Sequence, residues 1–242
     1  MILRPEDLIH KSYLNLILAE VIDNSYLSQN LAFKGGTCAS MLGYLDRFSV
    51  DLDFDILNKG EKSQIRKEFV KIFGELNLDI IKDNKYLPFF LIKYANSQPG
   101  GRNSIKISTT DNVPNANEYN VQYLAEIDRL VNSQTIETMF ANKLVAVTDR
   151  YNKYKTIAGR DIYDIHYFFL QGYKYKEEII KERTGQKAKD YFLALIDFLN
   201  THVNQAIINE DLNVLLEPKK FQQVRKILLS ETIHFLTLEK SR

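Results

Sequence analysis

A single cysteine, Cys38, stands among the 242 residues. One thiol excludes an internal disulfide framework and any zinc site built on several thiolates, and it fits a reducing compartment. Neither sign of charge is in excess: 32 basic side chains face 31 acidic ones, a formal net charge of +1. A chain so balanced is not a polycation that coats nucleic acid, although a local basic patch stays open. Long apolar runs are missing too. None approaches the ~20 residues that cross a bilayer. The opening MILRPEDLIHK has no apolar signal-peptide core. The expectation is a cytoplasmic protein with no membrane contact. The four histidines, His10, His166, His202 and His234, have no metal-ligand spacing, and His166, just after the Arg-Asp block, is expected to be structural. What is present suits a folded chain. Hydrophobic residues make up 45% and charged ones 26%, which argues against disorder. The length is enough to bury roughly 70% of the extended chain's surface.

The periodicities divide the chain softly near residue 132. Apolar spacing predicts a helix over 5–29, a brief strand at Leu31–Phe33, a glycine turn at Gly35 and Gly36, and a short helix to Leu45. A strand over Ser49–Leu57 and a helix over 61–76 follow. Further strands are expected at Leu78–Ile81, Phe89–Tyr94, Ser104–Thr109 and Tyr119–Val131, the last one broken. Turn signals separate them at Asp83-Asn84, at Pro99-Gly100-Gly101 and from Asn112 to Asn117. Helices are expected over 135–150, 160–172, 176–183, 187–203 and 219–237. The fold class is therefore α+β: a mixed sheet with flanking helices, then an all-helical bundle. The expected domains are 1–132 and 133–242. No linker parts them, so they are expected to pack together.

Asp51, Asp53 and Asp55 alternate with Leu52, Phe54 and Ile56. On a strand the carboxylates share one face. Three carboxylates together need open solvent, basic partners or divalent cations. Mg²⁺ takes carboxylate oxygens and keeps substrate phosphates as further ligands. The bland alternative is a solvated face on an edge strand. Upstream, Gly35 and Gly36 fit a tight turn that lets a ligand approach the backbone. Thr37 is expected to cap the next helix, whose free N–H groups attract phosphate. A phosphate cradle beside an acidic strand is what nucleotidyl transfer needs.

The stretch from Phe33 through KGGTCASMLGYLDRFSVDLDF to Asp55 resembles the AbiEii/AbiGii family of nucleotidyltransferase toxins, with its pattern KGGT, short helix, LDRFSxDLDF. The resemblance implies a DNA polymerase β-like nucleotidyltransferase fold. It implies that Lys34, Gly35, Gly36 and Thr37 lie at the nucleotide, that Gly36 and Thr37 contact its phosphates, and that Asp51 and Asp53 hold Mg²⁺. Ser49 matches a position close to the reacting phosphates, and Asp55 one behind the metal. Many enzymes of that superfamily carry a third carboxylate on a later strand. Here Ser108 stands at that place, and Asp111 or Glu126 remain as substitutes.

The second half repeats the resemblance. Glu137, Ala141, Lys143, Leu144, Ala146 and Arg150, then Arg160, Asp161 and Asp164, follow that family's helix and Arg-Asp pattern. By that likeness Lys143 neutralises the triphosphate, Arg150 helps orient it, and Asp161 completes the site as a candidate general base. Arg160 and Asp164 hold the helices together. Without the likeness, two solvated helices would account for these charges. Residues 143–189 carry 11 Lys/Arg against 6 Asp/Glu, with Tyr151, Tyr154, Tyr163, Tyr167, Tyr173 and Tyr175 interleaved. Such a surface suits RNA, with phosphates on cations and bases on rings.

Together these implications describe a Mg²⁺-dependent transfer of a nucleoside monophosphate from an NTP to an acceptor hydroxyl, expected to be an RNA (tRNA) 3′ end. The resemblance further implies a toxin of a toxin–antitoxin or abortive-infection system, neutralised by a cognate antitoxin protein. The alternatives are transfer to a protein or small-molecule hydroxyl, and a catalytically silent NTP-binding module.

Overall fold

Leu52, Phe54 and Ile56 are buried, while Asp53 between them is half-exposed. In the computed structural model, which describes residues 4–95 and 101–241, their strand lies in the middle of a sheet. The chain divides into two units. The first holds the residues up to Val113 together with Tyr119–Gln134; the second holds Pro114–Glu118 and the residues from Thr135 on.

The first unit runs α1 (Pro5–Asp23), α2 (Ser25–Asn30), β1 (Leu31–Lys34), α3 (Gly35–Met41), β2 (Leu52–Ile56), α4 (Lys62–Glu75), β3 (Asp79–Asn84), β4 (Phe89–Lys93), β5 (Ser104–Thr110), β6 (Tyr119–Leu124) and β7 (Arg129–Gln134). The sheet order is β3-β4-β5-β2-β1-β7-β6. β2 is antiparallel to β1 and parallel to β5, and β1 is parallel to β7. One face is apolar. α4 turns Ile65, Phe69, Ile72 and Phe73 inward at helical spacing. Their rings meet those of the sheet: Phe54–Phe69 at 6.1 Å, Phe69–Phe90 at 5.6 Å and Phe73–Phe90 at 5.1 Å between centroids. Truncating one such buried ring costs about 3–5 kcal/mol, so this layer anchors the sheet. The opposite face carries Asp53, Asp55, Ser108 and Thr110 in adjacent register.

Three local expectations change here. The helix expected over 5–29 breaks at Asn24, which adopts extended backbone and accepts hydrogen bonds from the Tyr26 and Leu27 N–H groups. An Asn in that position starts a new helix more cheaply than it continues one. Asp83 and Asn84 end β3 rather than forming a turn; the turn is at 85–88. β2 is central, not an edge. The turn expected at Pro99 and Gly100 lies outside the described residues.

The second unit is helical: α5 (Ile136–Tyr154), α6 (Gly159–Leu170), α7 (Glu177–Thr184), α8 (Ala188–His202), α9 (Gln205–Leu212), α10 (Pro218–Val224) and α11 (Leu228–Lys240). α5 packs on α6 and α7, α11 on α6 and α8, and α9 on α6. Phe140 sits between Phe168 and Phe169, at 5.2 and 4.7 Å. The sequence pattern did not announce α9, and the helix expected over 219–237 is two, α10 and α11. At Gly159 an added Cβ would lie 2.7 Å from the Ile207 carbonyl oxygen, so only glycine lets α6 meet α9 this closely. Residues 114–118 form a strap on the helices. The Asn115 and Ala116 N–H groups donate to the Glu182 carboxylate at 2.7 and 2.9 Å, and the Glu118 N–H donates to Thr138 Oγ1 at 3.0 Å. Among the described residues, no helix is long and apolar enough to cross a membrane.

Candidate active site

β1 ends at Lys34 and the chain turns at once into α3. Gly35 makes that turn with φ +81°, a conformation L side chains rarely adopt. Space forbids a side chain as well: a Cβ on Gly35 would stand 2.7 Å from Asp53 Oδ2. A Cβ on Gly36 would stand 2.7 Å from an Arg47 guanidinium nitrogen and 3.0 Å from Ser49 Oγ. The two glycines therefore bring backbone against Asp53 and against Arg47 and Ser49.

Thr37 does not cap α3. It is buried inside the helix, and its hydroxyl donates to the Asp51 carbonyl. It ties α3 to the residue that opens the acidic strand and leaves only its backbone for a ligand. From the other side, His10 Nε2–H donates to the Val50 carbonyl at 2.9 Å. Burial pushes the His10 pKa below its ordinary value. Arg47 is buried and donates to the Phe48 carbonyl at 2.9 Å. Segment 47–51 is thus clamped on several sides before β2 begins.

The three aspartates have different surroundings. Asp51 is a quarter exposed and pairs with Lys106 at 2.6 Å. Asp53 is half-buried and accepts from the Ser108 hydroxyl, its neighbour across β2 and β5. Asp55 is fully buried. It accepts from Lys34 Nζ at 2.5 Å, Gln134 at 2.6 Å and the Tyr119 hydroxyl at 3.0 Å. Lys34 also donates to Thr110 at 2.8 Å. The structure therefore gives Lys34 a partner other than the expected nucleotide: its ammonium neutralises Asp55. Neither substitute for a third carboxylate joins the pair. Asp111 is bound by Lys62 at 2.8 Å, which holds its carboxyl below the usual range, and Glu126 is paired with Lys11. Among the described residues, no group of three or more His, Cys, Asp or Glu side chains is placed to hold a metal. Two carboxylates remain, Asp51 and Asp53. That donor set fits one hard divalent cation whose other ligands are water and phosphate oxygens.

In the second unit the Thr135 hydroxyl caps α5 by accepting from the Thr138 N–H at 3.2 Å. α5 then presents Lys143 to α6. Lys143 Nζ lies 2.9 Å from Asp161 Oδ1 and 3.0 Å from Asp164 Oδ2, and Arg150 Nε lies 3.2 Å from Asp161 Oδ2. Burial alone would raise the Asp161 pKa, but Lys143 and Arg150 outweigh it and hold the group at about 2. Such a carboxylate is a poor proton acceptor near neutrality, which goes against the general-base expectation. Arg160 reaches Asp211 at 3.9 Å.

Of the six interleaved tyrosines only Tyr154 is exposed, and Tyr163 is buried. Tyr151 packs on Phe198 and His202. Of the rings expected to stack on bases, Tyr163 is core and Tyr151, Tyr167, Tyr173 and Tyr175 are half-buried. Lys174, Lys181, Lys187 and Lys189 are exposed around an open groove of about 680 Å³ that Tyr175 and Phe192 also line. Sequence reasoning passed over Lys106, Tyr119, Gln134 and the clamp at His10. Each is an isolated polar residue that gains meaning only from register across the sheet or from a contact distant in sequence.

The model of the family described as nucleotidyl transferase AbiEii toxin, type IV TA system, matches residues 16–226. Two solved structures are similar. One is a Helicobacter pylori protein assigned as a nucleotidyltransferase (TM-score 0.62, 20% identity, 99% of this chain and 96% of that one). The other is JHP933 from Helicobacter pylori (TM-score 0.56, 18% identity, 99% and 97%). At that identity they speak for the fold. No curated protein sequence matches. The matched range contains the glycine turn, the acidic pair and the Lys143 cluster, and the chain belongs to the AbiEii family of nucleotidyltransferase toxins of type IV toxin–antitoxin systems.

Proposed function

We propose that this enzyme transfers a nucleoside monophosphate from an NTP to a hydroxyl at an RNA 3′ end, that of a tRNA, with Mg²⁺ as the cation. The observation that carries the reading is the placement of Asp53, half-exposed on the polar face of the sheet, against the side-chain-free turn at Gly35, with Asp51 held beside it through its carbonyl by Thr37 of the following helix. Asp51 and Asp53 would hold the cation, which when bound neutralises phosphate charge and polarises the phosphorus–oxygen bond. The Gly36 and Thr37 amides and Ser49 take the phosphates. The acceptor oxygen bonds to the α-phosphorus, the bond to the bridging oxygen breaks, and pyrophosphate leaves with its electron pair. The acceptor proton passes to water.

Lys143 is assigned to the triphosphate, whose charge it balances as pyrophosphate departs. Asp161, Asp164 and Arg150 are its positioning residues, and we give Asp161 that role in place of the expected role of base. The second unit's groove has four exposed lysines interspersed with Glu177, Glu178 and Glu239, so its support for a polyanionic acceptor is confined to the lysine side chains, whose phosphate contacts supply sequence-independent affinity. Family membership implies a nucleotide substrate and an antitoxin partner; we propose that the antitoxin is a protein encoded nearby and that the toxin serves abortive infection.

The test is a labelling assay. Purified protein is incubated with Mg²⁺, each α-labelled NTP in turn and total RNA, beside Asp53→Asn and Lys143→Ala. Labelled RNA that both variants fail to make supports the reading. Label on protein, or none, rejects RNA as the acceptor.

A further inference from the structure

We infer that Lys106 is a built-in cation that takes the place of a second divalent ion, so that this enzyme works with one. The inference rests on the nucleotidyl-transfer reading and adds to it the number of ions and a positioning residue.

β5 lies parallel to β2, with Ser108 beside Asp53. Two residues earlier on the same face of β5 is Lys106, and its Nζ lies 2.6 Å from Asp51 Oδ2. Two cations that share a reaction sit about 4 Å apart and repel one another, so they need bridging carboxylates. The strand next to the acidic pair offers an ammonium and a hydroxyl instead. The hydroxyl is spent on Asp53, as donor. Asp111 and Glu126 are held by other lysines. Asp51 and Asp53 thus bear two negative charges, one already offset by Lys106. Before nucleotide binds, a single divalent ion brings the cluster to a net +1, whereas a second ion on these carboxylates would have to displace the lysine or sit against it.

Lys106 is suited to the task by its position. Its side chain is 37% exposed, so the ammonium can meet both Asp51 and a phosphate oxygen of a bound ligand. An ammonium donates hydrogen bonds and charge, and unlike a free ion it does not dissociate. The required divalent concentration is then that of one site, and dependence on it is first order.

The experiment counts Mn²⁺ bound by the full chain, by equilibrium dialysis and electron paramagnetic resonance, with a non-hydrolysable α,β-methylene NTP. The expected result is one Mn²⁺ per chain. Lys106→Glu, which supplies a third carboxylate on β5, should bind two. Lys106→Met keeps the stem and removes the charge, and without nucleotide it should bind its first Mn²⁺ about tenfold tighter. Two ions in the unaltered chain, or an unchanged affinity in Lys106→Met, overturn the inference and leave nucleotidyl transfer standing. No nucleotide binding at all removes both. If Lys106→Glu fails to fold, judged by thermal denaturation, the Met variant decides.

Discussion

Lys143 Nζ lies 2.9 Å from Asp161 Oδ1, and the Asp161 side chain is only 2% exposed. A buried carboxylate in contact with an ammonium is a strut: it fixes where the positive charge stands. Removing one partner of such a pair costs about 3–5 kcal/mol, and the low end applies here because Lys143 keeps Asp164 at 3.0 Å. Asp161→Asn is therefore expected to lower stability by about 3 kcal/mol in urea unfolding. A loss under 1 kcal/mol would mean that the carboxylate is not carrying Lys143.

The same group sets an acid limit. The folded chain holds Asp161 at about 2 against an ordinary 3.8. Because the folded pKa is the lower one, the unfolded chain takes up the proton first. The stabilisation is complete above about pH 4 and is lost as pH falls towards 2. Asp161→Asn should flatten that limb in a series of unfolding midpoints.

His10 acts in a milder range. Burial holds its pKa below 6.5, so the unfolded chain binds the proton first as pH falls below 6.5. Stability is full above that value and declines beneath it. Midpoints measured from pH 7 to pH 5 should fall, and His10→Gln should remove most of the slope. A flat profile in the unaltered chain would mean that burial of His10 is offset by its hydrogen bond to the Val50 carbonyl.

Gly35→Ala tests the turn. A methyl group there meets Asp53 Oδ2 at 2.7 Å in a left-handed backbone. The expected outcome is a loss of about 1–3 kcal/mol of stability together with weaker Mn²⁺ binding, as Asp53 is displaced. Stability lost without any change in Mn²⁺ binding would separate the turn from the acidic pair.

Lys34 separates two roles. If its ammonium serves Asp55, Lys34→Met should destabilise by about 3 kcal/mol, and Lys34→Met with Asp55→Leu should recover part of that loss. If it serves the nucleotide, Lys34→Met should raise KM for the NTP and leave unfolding unchanged.

Much of this was legible in the sequence. The alternation of Leu52, Phe54 and Ile56 with the aspartates fixes a two-faced strand, and Gly35-Gly36 marks the sharp turn before it. The helical character of the second half follows from its apolar spacing. What stayed hidden depends on partners far along the chain. Nothing near Asp51 tells that β2 is central, because strand order comes from the crossovers to β5 and β7. A lysine at 106 in an alternating strand looks solvated until β5 is laid beside β2. Tyr163 and Tyr175 look like handles because the pattern of lysines around them is exposed, yet Tyr163 is buried and Tyr175 packs edge-on against Phe140 and Phe192. Helix α9 escaped because only Ile208 and Leu212 in it are buried, too few for a periodic signal, while Gly159 hinted only that something must come close.

The strap at 114–118 has a genetic consequence. Five residues coded before the β6–β7 hairpin are fastened to helices coded after it, and the hairpin itself returns to the sheet. Neither unit is a contiguous stretch of reading frame. A cut after Gln134 would strip the helical unit of the strap that Glu182 and Thr138 grip, and would leave those five residues dangling from the other piece. Recombination at that junction cannot pass the helical unit intact to another gene, so that unit is inherited only together with the coding sequence before it.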